Sequence, residues 1–471
     1  MNLARSSYKL FLGKIIGSLT QFVGVAYFAR ELGSAAVGVF FLFEALLGML
    51  AIPANFGLQR SLEKRMSEGD AQSRFLSSAV LLKSLPVAAI IVGILIASEQ
   101  LNNYLGSDAA HVLAIAIALQ EFSRMWIYVL KGELRVGETA VLNVLKNLTW
   151  VVVGTMLVSQ GYEEMALIYG LLAGLTVMTA IGWHKSSTRF ARPTKRHMRS
   201  LFDYGKYNFV ASIGGYFYNW MDIVIIGYFL SQSHVGAYEV AWRVTLIVIL
   251  FSRSLGTSLF PQISRWYKKG SQTKIEREIK NHLTLSMVVV VPAVFGTILL
   301  SKDILGLVFG SEFTIAWVAL IVLMFEKFLQ SLHIILGRSL QAIDRPDLAA
   351  KASLVSVFAN LLLNVLLVPI YGIVGAAVAT TLSAGINGLT HGIYLQRHID
   401  VIFPYKNLSY MIISSIGMSL VLLVFTSLTS VDTLLILSAT IIVGVLSYLM
   451  FSFSFSPLRY DILSYLWGIR S

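Results

Sequence analysis

The chain has 471 residues, of which 56% are hydrophobic and only 13% are charged, with a formal net charge of +12. Soluble domains carry about 25% charged residues, so this composition excludes a soluble globular protein. The chain has no cysteine, which excludes disulfides, thiolate metal sites and cysteine nucleophiles. The cationic excess favours contact with anionic lipid headgroups, and we expect no nucleic-acid partner.

Fourteen apolar segments are long enough to cross a bilayer, since a spanning helix needs about 20 mostly apolar residues. The first segment has a basic start but no clear signal-peptide cleavage site, and we interpret it as a span. The connections are short, and we therefore predict an all-α polytopic membrane protein with about 14 transmembrane helices. The predicted spans are residues 10–29, 38–58, 75–97, 109–130, 140–159, 165–183, 207–230, 237–260, 282–300, 314–336, 349–370, 373–394, 408–428 and 433–454.

The loops between these spans alternate in charge. If the N-terminus with Arg5 and Lys9 is cytoplasmic, every second loop is rich in lysine and arginine, whereas the seven opposite loops contain only Arg30 and Lys302. Cytoplasmic loops carry the excess of these residues, so the pattern predicts a multi-pass protein of the cytoplasmic membrane with both termini in the cytoplasm.

Residues 184–206 form a basic hinge with seven lysines and arginines against one acid, Asp203. Segments on its two sides resemble each other: Val37-Gly38 matches Val235-Gly236, and Asn143 and Asn147 match Asn360 and Asn364. A six-helix unit therefore looks duplicated, which predicts two parallel lobes followed by two extra C-terminal helices. The predicted parts are an N-terminal lobe (1–183), the basic cytoplasmic hinge (184–206), a C-terminal lobe (207–397), and two spans with a cytoplasmic tail (398–471).

Three motifs carry a resemblance to a known family. They are NLLLNVLLVPIYGIVGAAVATTLSAGI at residues 360–386, VGAYEVAWR at 235–243 and LGTSLFPQIS at 255–264. In this order they resemble the polysaccharide-type flippases of the multidrug/oligosaccharidyl-lipid/polysaccharide exporter superfamily. The likeness extends over nearly the whole chain through span count, halves and motif order.

Charged residues inside spans usually face a cavity or a partner, because charge is costly in lipid. Arg243 and Arg253 lie on one predicted helix about 80° apart, so both can border one cavity. Asp222, in the preceding span, either pairs with Arg243 or leaves it for a substrate phosphate. Arg243 also resembles an arginine of lipid-linked peptidoglycan-precursor flippases, whose motif reads like YADRL; here it reads YEVAWRV, so the acid before the arginine does not carry over.

Other polar residues in spans have two readings each. Lys14 either extends to the cytoplasmic interface or lines the cavity. Asn364, one turn after Asn360, either lines the cavity or forms a structural link between helices. Glu121 and Arg124 form pairs either within their helix or with other helices, and their i, i+3 spacing favours a structural role.

The sequence contains no phosphate loop, zinc helix, DxD pair or nucleophile elbow, so we expect no catalysis, metal or cofactor. The resemblance implies a flippase that moves a polyprenyl- or dolichyl-phosphate-linked sugar across the cytoplasmic membrane by alternating access, for surface polysaccharide or protein glycosylation. Candidate cavity residues are Arg243, Arg253, Lys14, Asp222 and Asn364; the partners would be the lipid-linked sugar, membrane lipids and glycosyltransferases of the same pathway.

Two alternatives remain, one in the same superfamily and one in another class of protein. A Na⁺- or H⁺-coupled multidrug exporter of the same superfamily is the nearer one, but such exporters often use an acid in the first helix, and residues 10–29 contain none. A membrane glycosyltransferase would normally have a large polar loop with clustered acids, and the predicted outer loops are all short.

Overall fold

The computed structural model describes residues 3–466, which form helices joined by short connections, without a β-strand in that range. This architecture confirms the predicted all-α class. The α-helices are α1 (Leu3–Asn55), α2 (Leu58–Ser67), α3 (Gln72–Ile96), α4 (Ser98–Leu105), α5 (Ala110–Gly132), α6 (Thr139–Val158), α7 (Glu164–Lys185), α8 (Lys195–Phe229), α9 (Gln232–Lys268), α10 (Gln272–Val308), α11 (Trp317–Ala342), α12 (Pro346–Gln396), α13 (Tyr405–Leu428), α14 (Leu434–Phe453) and α15 (Ser456–Leu466).

Two helices are long enough to cross a membrane twice. α1 has 53 residues and α12 has 51, so each would extend roughly 75–80 Å if straight, against a hydrocarbon core of about 30 Å. α1 bends at Gly33 (φ 78°) and α12 at Gly372 (φ 59°). Glycine adopts these positive φ values at little steric cost. Each bend separates two spans, as the sequence predicts for the turn that follows Pro369.

The span count agrees with the sequence. Among the described residues, eleven helices are long and apolar enough to cross a membrane. α1 and α12 each provide two spans, and the 35-residue α8 provides one more, which gives the predicted fourteen. The bounds differ from the predicted ones chiefly where α8, α9 and α10 continue into polar sequence; α8 begins at Lys195, inside the predicted hinge, whose second half is therefore helical.

The outer faces of the spans are apolar. Large side chains such as Leu85, Phe358 and Leu435 are 78%, 69% and 83% exposed. Exposed apolar surface on this scale would promote association in water, whereas lipid tails are a favourable environment for it. The chain is therefore a multi-pass membrane protein.

The chain divides into two compact units, Met1–Gly236 and Ala237–Ser471. In the first unit, a buried apolar cluster joins α2, α3 and α5, and α8 packs against α1, α2 and α3. In the second unit, the main cluster joins α9, α10, α11 and α12. The predicted lobes at 1–183 and 207–397, with 398–471 after them, stay a prediction.

The glycines matched in the predicted repeat both lie at close backbone approaches within the first unit. A Cβ at Gly38 would come within 1.8 Å of the Gln232 carbonyl oxygen, and one at Gly236 within 2.2 Å of the Ser34 carbonyl oxygen. Only glycine fits at either position without a backbone shift. Such small residues allow membrane helices to pack closely.

Within the basic hinge, residues 186–194 form an extended segment between α7 and α8. Residues 184–185 belong to the end of α7, and residues 195–206 belong to the start of α8. One carboxylate oxygen of Glu133 accepts hydrogen bonds from the hydroxyls of Ser186 and Thr188 at 2.7 and 2.8 Å. The same oxygen accepts from the backbone amides of Ser187 and Thr188 at 3.1 and 2.9 Å. Burial alone would raise the pKa of Glu133, but these hydrogen bonds outweigh it, and the pKa lies below its ordinary value.

The next residues of the hinge are attached to α3. The Ala191 amide donates to the Ser77 hydroxyl at 2.8 Å, and the Thr194 amide donates to the Ser78 hydroxyl at 3.4 Å. Residues 186–194 are thus fastened to the first unit through α3 and the end of α5.

We predict that Glu133→Ala lowers the free energy of unfolding of the full-length protein by about 1–3 kcal/mol at neutral pH, because the buried donors lose their acceptor. Since the pKa of Glu133 is depressed, its stabilisation is present above the ordinary value of 4.5 and is lost as the pH falls through the lower folded-state pKa. Thermal unfolding in detergent at neutral and acidic pH measures both effects.

The matched control is Glu68→Ala, which removes an exposed carboxylate paired with Arg65 at 3.1 Å. An exposed pair contributes at most about 1 kcal/mol, so this variant should unfold almost like wild type. Equal losses in the two variants, or a Glu133→Ala deficit that does not shrink in acid, would contradict the account of the hinge.

Candidate functional site

A cationic cavity of about 680 Å³ lies within the first unit, between α1, α5 and α6. Four of its lining residues are cations, namely Lys14, Arg124, Lys131 and Lys146, and none of the lining residues described is acidic. The remaining polar lining residues are Ser18, Gln21, Gln59, Tyr128, Thr139, Asn143 and Asn147. The structure therefore places Lys14, one of the predicted site residues, at a cavity rather than only at the membrane interface.

Close packing of α1 on α6 forms one wall of this cavity. A Cβ at Gly13 would come within 2.5 Å of the Ala140 Cβ, so the two helices are in direct contact beside Lys14. One turn further, the Asn147 side-chain amide donates to the Gly17 carbonyl oxygen at 3.0 Å. These contacts fix the position of Lys14 along α1 relative to the side-chain amides of Asn143 and Asn147 on α6.

The opposite wall comes from α5. Arg124, Tyr128 and Lys131 recur at spacings of four and three residues, which places them on one helical face. The Lys131 ammonium lies 4.7 Å from the centre of the Tyr128 ring, a favourable cation–π distance. The i, i+3 spacing of Glu121 and Arg124 favours a structural pair and so hides this face in the sequence. The signal for it is the recurrence of basic and aromatic residues along one face of α5.

Such a cavity is suited to an anion. Several cations without lining carboxylates raise the local positive potential, and the apolar walls of a membrane protein screen it less than water does. Amide and hydroxyl groups beside them can complete the hydrogen bonds of phosphate oxygens. The cations, amides and hydroxyls of this cavity can therefore bind an anion and orient it.

The five predicted site residues belong to different units. Lys14 and Asp222 lie in the first unit, whereas Arg243, Arg253 and Asn364 lie in the second. Asp222 is buried, and its predicted pairing with Arg243 stays a prediction.

Arg243 has a carboxylate partner on its own helix. Its Nε lies 2.9 Å from Glu239 Oε1, one turn earlier on α9, and the Glu239 side chain is 3% exposed. The YADRL-like pattern lacks an acid at the aligned place in this sequence, but Glu239 supplies one at i−4. The arginine is therefore already partly neutralised before any substrate arrives.

Asn364 and Asn360 are both buried in α12. The Asn364 amide donates to the Asn360 carbonyl oxygen at 2.9 Å, and the Asn360 amide lies 3.2 and 3.3 Å from the hydroxyls of Thr380 and Ser383. Asn360 thus connects the two halves of α12 across the bend at Gly372. The contacts of Asn360 are those of a structural link between helices, whereas the bond of Asn364 lies within its own helix.

The first unit contains a buried ion pair that sequence analysis did not identify. Lys83 Nζ lies 2.6 Å from Glu121 Oε2, with side chains 2% and 1% exposed, and it also donates to the Glu121 carbonyl oxygen at 3.0 Å. Of the two alternatives for Glu121, the structure has the pair between helices, because its carboxylate meets Lys83 of α3. The available signal was a lone lysine in the middle of the third span.

We predict that Lys83→Ala destabilises the protein by about 3–5 kcal/mol, because it leaves the Glu121 carboxylate buried without its cation. Lys83→Met combined with Glu121→Leu should recover most of that loss, since both charges are then absent. Thermal unfolding and the yield of monodisperse protein measure the difference. A single variant that is as stable as the double variant would show that the pair is not the anchor described.

Comparisons with known proteins agree with this architecture. Residues 27–318 match a family model described as polysaccharide biosynthesis protein. The probable low-salt glycan biosynthesis flippase Agl15 of Haloferax volcanii is 51% identical over 459 residues, covering 98% of this chain and 97% of that protein. The probable flippase AglR of the same organism is 27% identical, covering 89% of each chain.

A solved structure of the lipid II flippase MurJ, in an inward closed conformation, has the same fold. It superposes with a TM-score of 0.79 at 18% identity and covers 98% of this chain and 99% of its own. At this identity the likeness concerns the fold alone. The family match and the high identity to Agl15 show that the chain belongs to the polysaccharide biosynthesis protein family of membrane flippases.

Proposed function

We propose that this protein moves a lipid-linked glycan, attached through phosphate or pyrophosphate, from the inner to the outer leaflet of the cytoplasmic membrane. The observation that carries the proposal is the cationic cavity of the first unit, with four cations and no acid among its described lining residues. Family membership and the identity to a glycan biosynthesis flippase support it. They also confirm that the protein belongs to transporters rather than enzymes.

The physical task is to carry a polar head across about 30 Å of hydrocarbon. A phosphate and a glycan lose their water there, and each buried hydrogen-bonding group without a partner costs several kcal/mol. Lys14 and Arg124 can replace water around the phosphate oxygens, each charge-assisted hydrogen bond contributing about 1.5–3 kcal/mol. The lipid tail never has to leave the bilayer.

Alternating access accounts for movement without chemistry. In this proposal the glycan enters from the cytoplasmic side, where the basic hinge lies and where both termini are placed by the charge pattern. Within the second unit, Arg253 is a proposed substrate contact, and Arg243, which is paired with Glu239, stays a predicted one. Glycosyltransferases of the same pathway would supply the lipid-linked glycan.

The cationic cavity also argues against export of cationic drugs, the activity of the nearest alternative. A cavity lined by cations and by no acid repels a cation and attracts an anion. The first predicted span, residues 10–29, contains no acid that could bind a cationic drug.

We predict that Lys14→Gln combined with Arg124→Gln slows leaflet translocation of a phosphate-linked glycan at least about tenfold in proteoliposomes. The loss of one charged contact corresponds to about 1.5–3 kcal/mol, and 1.4 kcal/mol is a factor of ten. Accessibility of the glycan to an external glycosidase measures translocation. Arg243→Ala, measured in the same assay and by thermal unfolding, tests whether Arg243 acts on the substrate or on folding, since its pair with Glu239 is lost in the variant.

The matched control is Lys269→Gln, which removes an exposed cation after α9 and should leave the rate unchanged. A wild-type rate in the double variant would refute the phosphate-binding role of the cavity. Wild-type protein that moves a cationic drug but no glycan would refute the flippase proposal itself.

A further inference from the structure

An apolar groove of about 760 Å³ lies within the second unit, between α10, α11 and the second half of α12. Its volume falls in the range of about 300–1,000 Å³ that is typical of small-molecule sites. The only polar side chains among its described lining residues are Gln396 and Arg397, which lie where α12 ends. Neither the family match nor the relatives assign a role to this groove.

Three half-buried glycines of α12, Gly385, Gly388 and Gly392, form one wall of the groove. A Cβ added at these positions would come no closer than 3.6, 3.8 and 3.8 Å to an atom outside the backbone of α12, which is ordinary van der Waals contact. Helix packing therefore does not require glycine here, in contrast to Gly38 and Gly236, where a side chain would clash. A side chain at any of the three positions would instead fill the groove.

The groove faces the bilayer and has the length of one leaflet. Leu389 and Ile393 line it and are 70% and 56% exposed, as is usual for side chains that contact lipid on a spanning helix. The stretch of α12 that lines it, from Ala384 to Gln396, is roughly 18 Å long at 1.5 Å per residue. Half of a hydrocarbon core is about 15 Å. The groove therefore fits the chain of a lipid in one leaflet better than a partner helix, which would cross the whole core.

Arg397 gives the end of the groove a positive charge, and none of the lining residues described is acidic. Its guanidinium lies 5.8 Å from the centre of the Tyr394 ring, a cation–π distance, and the residue remains exposed. Gln396 is engaged in the turn after α12: its side-chain oxygen accepts from the Val401 amide at 2.8 Å, and its side-chain amide donates to Asp400 at 3.4 Å. The Arg397 guanidinium is therefore the group at this end that can donate to a phosphate.

We propose that this groove holds a phospholipid of the bilayer with an anionic headgroup. One hydrocarbon chain lies along the three glycines of α12, and the phosphate accepts hydrogen bonds from the Arg397 guanidinium. A headgroup without an ammonium is favoured, because an ammonium beside the guanidinium would be repelled. The lipid contacts α10, α11 and α12 at once and so stabilises the packing of the second unit. The proposal concerns a bound lipid and not the transported molecule, and it does not depend on the function proposed above.

Native mass spectrometry of the purified full-length protein tests this site, because the method counts the lipids that stay bound and gives their affinities. The probes are phosphatidylglycerol and phosphatidylcholine with identical chains, and a polyprenyl phosphate. We expect phosphatidylglycerol to bind at least about tenfold more tightly than phosphatidylcholine, since its headgroup makes the charge-assisted contact without repulsion. It should also raise the temperature of unfolding, because a ligand that binds only the folded state stabilises it.

Variants connect the bound lipid to the groove. Arg397→Gln should abolish the preference for phosphatidylglycerol, because the contact with the headgroup is lost while the chain still binds. Gly388→Leu should weaken both phospholipids at least about tenfold, because the added side chain occupies the groove. Two matched controls should bind like wild type: Arg60→Gln removes an exposed arginine of α2, and Gly93→Leu adds a side chain on α3 where a Cβ would meet no atom within 4 Å. If Gly388→Leu does not fold, the exposed Arg397 decides the test alone.

Other outcomes would overturn the site. Equal affinities of the two phospholipids for wild type, or a preference that persists in Arg397→Gln, would show that no headgroup is recognised at this end of the groove. Phospholipids that bind folded Gly388→Leu as well as wild type would place the chain elsewhere. A polyprenyl phosphate that displaces phosphatidylglycerol from wild type would make the groove a site for the glycan carrier. A dimer that dissociates in Gly388→Leu would make it an interface between two copies of the chain.

Discussion

The cost of placing charge in hydrocarbon governs where this chain puts its ionisable side chains. Lys83 with Glu121, Lys327 with Glu326, and Arg243 with Glu239 each form a close ion pair in or near the membrane-spanning helices. Each pair keeps a charge that would otherwise face the bilayer interior alone. The cations at the cavity of the first unit are different, because its described lining contains no acid beside them.

The presence or absence of a neighbouring acid distinguishes charged residues that stabilise the fold from charged residues that can bind a ligand. A paired charge is satisfied before any ligand binds, and its removal should act on folding. Where no acid lines the cavity beside a cation, the cation can bind an anion, and its removal should act on the ligand. On this criterion Lys14 is the stronger of the predicted site residues, while Asn364 donates to the Asn360 carbonyl oxygen within α12, and its role at a cavity stays a prediction.

Much of the fold could be predicted from the sequence, because the bilayer imposes a fixed length and polarity on each span. The apolar segments, the turn after Pro369 and the small residues of α12 all follow from local physics. The partner of Glu121 could not be found in this way, since its spacing to Arg124 fits a helical pair while the true partner is 38 residues away in sequence. The α5 face of the cationic cavity was missed for the same reason. Tertiary packing decides which of two plausible partners a side chain meets.

The central proposal is that the protein recognises the phosphate of a lipid-linked glycan through the cations that line the cavity of the first unit. The most direct measurement compares translocation of one glycan on two lipids, a polyprenyl phosphate carrier and an uncharged carrier of the same length. The account predicts that the phosphate-linked form crosses at least about tenfold faster, the factor that corresponds to about 1.4 kcal/mol. Equal rates for the charged and uncharged carriers would contradict it.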